Sequence, residues 1–237
     1  MLAKFVEKLM ELRKTQTFEI HGDTYSTEQL HRVKPHADRP DAISVCGLNS
    51  ICKLIREEMD QVGTTLMVEV KDYETVSVFT TLLDDLSRDK LYVAKADVPG
   101  FRCGFRNAEE AIIQLRSLFI PNEGTSYLLD LLSRINTEQG VSTQDNGVTQ
   151  TVTARQGIAL NEKVAIKPRV SLQPFRTFLE VGQPESEFLL RINEQGNIGL
   201  FEADGGVWKL EAKRNVAAYF ERELADLIES KRVVVMF

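Results

Sequence analysis

Residues 201–215 read FEADGGVWKLEAKRN. The Asp204-Gly205 step is a strong tight-turn signal, because glycine supplies the positive φ that such turns need. Beyond it Trp208, Leu210 and Ala212 alternate with Lys209, Glu211 and Lys213. That alternation predicts a half-buried strand returning from a hairpin, with its charged face in solvent. Together with LLRINEQGNIGL just upstream, the segment is expected to form a three-stranded meander. The same residues also offer an acid followed by Glu-x-Lys, the side-chain set of metal-dependent nucleases. Two carboxylates sharing a divalent ion lie within about 4 to 5 Å of each other. A reversal at Asp204 leaves Glu211 about five residues down the return strand, roughly 16 Å away at ~3.3 Å per residue. The hairpin therefore predicts no shared ion and no catalytic residue here. A second Glu-x-Lys, Glu69 and Lys71 in LMVEVKDY, alternates against Met67, Val68 and Val70, with Asp60 upstream. It reads as the wet face of a strand.

Elements can be followed outward from this point. A helix is expected at about 213–229 from Val216, Phe220, Leu224, Leu227 and Ile228, and RVVVMF reads as a closing strand. Upstream, Gly140 to Val170 is rich in Val, Thr and Gln and reads as strands with turns at Gly147, Gly157 and Asn161. LQPFRTFLEVGQPESEF is a proline-punctuated connection. Two helices are predicted before it, near 108–118 behind an Asn107 cap and near 124–136. TTLMVEVKDYETVSVFTTLL reads as a hairpin, with KLYVAKADV adding a third strand. Ser44 to Gln61 has helical periodicity and a glycine stop at Gly63. Residues 17–26 read as a small hairpin, 3–14 as an amphipathic helix, and 30–43 as a loop. The expected architecture is α+β, mostly antiparallel sheet with packed helices. Two lobes are expected, residues 1–140 and 141–237, because the composition changes near 140.

The bulk properties restrict function. The 237 residues carry a net charge of −6 and a pI of about 5.3, with 43% hydrophobic and 27% charged content. Phosphate backbones and anionic membranes are bound by clustered Lys and Arg, which such a balance does not supply globally. No apolar run approaches the ~20 residues of a membrane span, and MLAKFVEKLMELRK lacks the apolar core of a signal peptide. A cytoplasmic location without membrane association is expected. The cysteines Cys46, Cys52 and Cys103 form no CxxC and are expected to be structural thiols. The histidines are His21, His31 and His36; HADRPD, with His36, Asp38 and Asp41, reads as a surface loop rather than a metal site. GxSxG, GxGxxG and GxxxxGK[ST] are all absent, so no cofactor is expected. One stretch interleaves basic and aromatic side chains, KPRVSLQPFRTF. Its Lys167, Arg169, Arg176 and Phe178, together with Trp208, are the candidate binding residues, since such interleaving suits stacking and charge neutralisation of single strands.

Several of these residues carry a family resemblance. Arg176-Thr177-Phe178 leads into Glu180, then Gln183-Pro184 with Ser186 and Phe188. Phe201-Glu202-Ala203-Asp204-Gly205-Gly206 and Trp208-Lys209-Leu210-Glu211-Ala212 follow, with GVTQTVTARQGI upstream. In these segments the chain resembles the YfdQ-like family of phage and prophage proteins, over about residues 145–237. The family carries no established activity, so the resemblance transfers no catalytic residue. It implies a protein made in an infected or lysogenic bacterial cytoplasm, often encoded beside recombination genes. The expected role is a non-enzymatic accessory protein that acts by binding, as a homo-oligomer. Its partner would be a recombination protein, single-stranded DNA or a host defence protein. The alternatives are a metal-dependent nuclease supporting recombination and an anti-defence protein that sequesters a nucleotide signal.

Overall fold

The computed structural model describes residues 4, 8, 15, 17–20, 23–26, 41–83, 86–136, 141–145, 150–155, 161–193 and 195–237. The chain divides into two compact units, residues 1–40 and 41–237. In the first, β1 (Thr17–Ile20) and β2 (Asp23–Ser26) pair antiparallel, the hairpin expected there. The expected helix over 3–14 and the loop over 30–43 fall mostly outside the described residues.

The second unit holds two apolar cores. The first lies under a five-stranded sheet in the order β14-β4-β5-β6-β3. Its strands are β3 (Ile43–Val45), β4 (Leu66–Val70), β5 (Thr75–Thr80), β6 (Lys90–Lys95) and β14 (Val233–Met236). The inner side of β4, Leu66, Val68 and Val70, is buried, while Met67 and Glu69 are only partly so. That is the period of two expected of a strand with one covered face. Helix α1 (Leu48–Val62) covers this face with Leu48, Ile51, Ile55 and Met59, and ends at the left-handed Gly63. β14 and β3 join the edges in parallel, to β4 and β6 respectively, and the remaining pairings are antiparallel.

The second core lies between a four-stranded sheet, order β11-β12-β13-β7, and two helices. The strands are β7 (Gly104–Arg106), β11 (Arg169–Leu172), β12 (Ser186–Ile192) and β13 (Ile198–Glu202). The helices are α2 (Ala108–Ser117), capped by Asn107 accepting from Glu110 N, and α3 (Glu123–Asn136). Phe101, Phe119 and Phe188 meet edge to face in its middle. β8 (Val141–Asp145), β9 (Gln150–Arg155) and β10 (Asn161–Ile166) form a separate antiparallel meander. The fold is α+β.

Two expectations need correction. The division expected at residue 140 is crossed by both large sheets: β14 pairs with β4, and β13 pairs with β7. The composition change at 140 marks the start of a β-rich segment. Strand pairing is non-local, so it does not respect such a change. The expected third strand of the meander, 207–212, is the start of helix α4 (Trp208–Glu223), followed by α5 (Ala225–Glu229). Trp208, Ala212, Val216 and Phe220 recur every fourth residue and are all buried, whereas Leu210 is 47% exposed. The alternating pattern over five residues was the beginning of a helical one. Gly205 and Gly206, at φ +65° and +81°, turn the chain from β13 into α4.

Glycine is required for two different reasons in this unit. A Cβ on Gly124 would lie 2.1 Å from the Ser171 carbonyl oxygen, so α3 approaches β11 only without one. A Cβ on Gly205 would meet nothing within 4 Å and would suffer only from its left-handed backbone. Gly205→Ala is therefore expected to cost about 1 kcal/mol. Gly124→Ala should cost about 3 kcal/mol, from overpacking against backbone. Urea denaturation of the two variants checks the order.

Candidate functional site

A polar cluster of the second unit is built by the connection between β11 and β12, residues 173–185. This connection is organised from within by one side chain. Gln183 Oε1 accepts from Arg176 N at 2.9 Å and from Thr177 N at 3.1 Å. Its Nε2 donates to the carbonyls of Thr177, Phe178 and Val181. A buried amide thus satisfies backbone groups that a short irregular segment cannot pair by itself.

The connection reaches out to both cores. Phe178 is buried in the first core. Thr177 Oγ1 donates to the Tyr73 carbonyl at the β4–β5 turn. Asn215 of α4 donates to Gly182 O at 2.9 Å. Glu180 Oε1 accepts a long 3.5 Å bond from Asn49 N, standing in for the side-chain cap that α1 lacks. On the other side Gln173 Nε2 donates to Gln183 O, and Phe175 N pairs with Leu118 O beyond α2.

Arg176 sits at the centre and is 6% exposed. Its Nη1 donates to Glu202 Oε1 at 2.9 Å and its Nη2 to Ser186 Oγ at 2.6 Å. Its guanidinium carbon stacks 4.0 Å from the Trp208 ring centroid and 5.7 Å from that of Phe188. Nε has no partner among the described residues. Burial lowers the Arg176 pKa, opposed by the Glu202 and Asp204 carboxylates. Trp208 packs edge-on to Tyr73 at 4.7 Å, and Lys209 Nζ lies 5.6 Å from the Tyr73 ring. Ser186 Oγ in turn donates to Asp204 Oδ2 at 2.8 Å, and Asp204 Oδ1 accepts from Gly206 N. Burial works to raise the Asp204 pKa. The bonds from Gly206 and Ser186 and the Arg176 charge outweigh it, so the carboxyl lies below its ordinary value.

The five sequence-derived binding residues are therefore split. Arg176, Phe178 and Trp208 are buried in this joint between the cores. Lys167 and Arg169 are exposed on the far side of β11, where they border a groove with Tyr127. Two carboxylates of the nuclease-like patterns are held in bonds and a third faces solvent. Asp204 is engaged as above, Asp60 accepts from Arg232 at 2.8 Å, and Glu211 is exposed in the first turn of α4. Among the described residues, no three His, Cys, Asp or Glu side chains come together to hold a metal ion. The histidines lie outside the described residues. The cysteines are free thiols. Cys52 is buried, and burial pushes its pKa up to about 11, but Cys46 and Cys103 are exposed rather than packed. Sequence reasoning missed Gln183, Ser186 and Glu202. A glutamine between prolines and glycines in an irregular segment was the available signal for the first.

Two measurements test this cluster. Arg176→Ala removes two charge-assisted bonds and the Trp208 stack, but leaves Glu202, a third exposed, able to turn to water, and is expected to cost about 2 to 3 kcal/mol. Lys167→Ala and Arg169→Ala should each stay within about 0.5 kcal/mol. Asp204 has a depressed folded pKa, so its contribution is present above the unfolded value and lost as pH falls through the folded one. Unfolding free energy followed from neutral to acid pH should therefore fall less steeply in Asp204→Asn than in the parent.

Among the described residues, no helix is long and apolar enough to cross a membrane. No family model matches the chain, and no curated protein or solved structure matches it either.

Proposed function

We propose that this chain is a phage or prophage accessory protein that acts by binding rather than catalysis, in the bacterial cytoplasm, as a homo-oligomer. The resemblance over residues 145–237 supports the origin. The non-catalytic reading is supported by where the conspicuous polar residues go. Arg176, Glu202, Asp204 and Ser186 bond to one another and hold two cores together, instead of facing a substrate. A recombination protein, single-stranded DNA or a host defence protein is the partner class this origin suggests.

The observation that carries the oligomer is the edge strand β14. It ends the five-stranded sheet, and its outward Val234 and Met236 and the following Phe237 are 44%, 36% and 58% exposed. The strand VVVM carries no charge, proline or bulge, the usual devices that keep an edge from pairing with another chain. Antiparallel pairing of two β14 strands would continue the sheet across a two-fold axis.

Native mass spectrometry tests this reading. The parent is expected at a multiple of the 26.8 kDa chain mass, and Val234→Lys with Met236→Lys at the single-chain mass. A parent that is monomeric at micromolar concentration, or an oligomer indifferent to both lysines, overturns it.

A further inference from the structure

We infer that the outward face of the four-stranded sheet, at Phe105 on the edge strand β7, binds single-stranded nucleic acid by stacking a base on that ring. Leu190, Ile198 and Leu200 point into the core under α2 and α3, so the alternate positions Arg191, Gly199 and Phe201 face the other way. β7 adds Phe105, opposite Gly199 in register. A Cβ on Gly199 would lie 2.8 Å from both Phe105 Cε1 and Phe201 Cε2, so the two rings close over bare backbone. Their centroids are 5.5 Å apart at an angle of 72°, and Phe201 holds the Phe105 ring in place. Phe105 is still 42% exposed. A ring fixed in orientation and open to solvent loses little freedom when a base stacks on it.

The charges around the ring favour a nucleic acid over an apolar partner. From Val98 to Ala108 the chain, VPGFRCGFRNA, has two arginines and no acid. Arg102 is exposed and makes no ion pair among the described residues. Arg106 Nη1 donates to the Phe105 carbonyl at 2.8 Å, which holds a cation beside the ring without neutralising it. Arg191 stands opposite Gly199 in register, two strands from Phe105 and roughly 10 Å across the sheet. Of the outward residues on the four strands, Glu187 alone is acidic, and it is taken up by Arg169 at 2.9 Å. An aromatic face with cations on both sides suits a base flanked by its phosphates. Bases inside a duplex are stacked on one another and offer the ring no face.

This inference rests on the reading of the chain as a binder, not on the β14 contact. The test is fluorescence anisotropy of the whole chain with labelled oligothymidylate, oligouridylate and a DNA duplex of equal length. A single strand is expected to bind below about 100 µM, and the duplex more weakly. Which single strand binds tighter tells DNA from RNA. Log affinity against log salt should have a slope of about −2, as three arginines on a single strand require. Phe105→Leu should bind at least about fivefold more weakly with an unchanged melting temperature. Phe105→Tyr, which keeps the ring, should bind like the parent, and Arg102→Gln should make the salt slope shallower. The inference is overturned if neither single strand binds by that concentration, if the duplex binds as tightly, or if Phe105→Leu binds like the parent. An oligomer that binds neither strand removes this site and leaves the β14 contact standing, and a monomer that binds does the reverse.

Discussion

The arrangement of the second unit depends on one buried cation. Removing a guanidinium from water costs several kcal/mol, so Arg176 is tolerated only where its charge and N–H groups are answered. Glu202, Ser186 and the face of Trp208 answer them, and they come from β13, β12 and α4. A cation against an indole face contributes about 2 kcal/mol when desolvated, and only in a narrow geometry. The cation therefore specifies position more than it adds stability. It sets where α4 leaves the four-stranded sheet to pack on the five-stranded one.

Around that cation the 173–185 connection behaves as a solid part. Gln183 meets five backbone groups with one amide, which removes the need for regular secondary structure. Phe178 anchors the connection in one core, while Pro174 bridges to Phe119 of the other. Such a joint makes the two cores one unit. It also explains why residues with the look of a binding motif face inward. Arginine and aromatics stack on one another in a joint by the same physics that stacks them on a base.

The surfaces left over are where function is to be sought. The polar joint is closed on itself, whereas β14 exposes an apolar edge and the α3–β11 groove sets Lys167 and Arg169 beside Glu123 and Glu185. Neither is large, and their chemistry differs.

Much of the fold was legible from periodicity. The hairpin around KDYET, the strand at 90–95, the Asn107 cap and both helices of the second core each lie within one run of sequence, where local spacing and capping decide the outcome. The end of α1 was legible for the same reason, since only glycine adopts that conformation cheaply. The segment after Asp204-Gly205 was misread because five residues of alternation suit a strand and the first turn of a helix equally. What separated them was burial of Trp208, Ala212, Val216 and Phe220 against partners far away in the chain. The candidate residues divided in the same way. The sequence by itself determined that basic and aromatic side chains would be interleaved between 167 and 178. Only tertiary structure decided which face inward, because β11 ends at Leu172. Lys167 and Arg169 lie at its exposed start, whereas Arg176 and Phe178 lie in the connection that a buried glutamine folds between two cores.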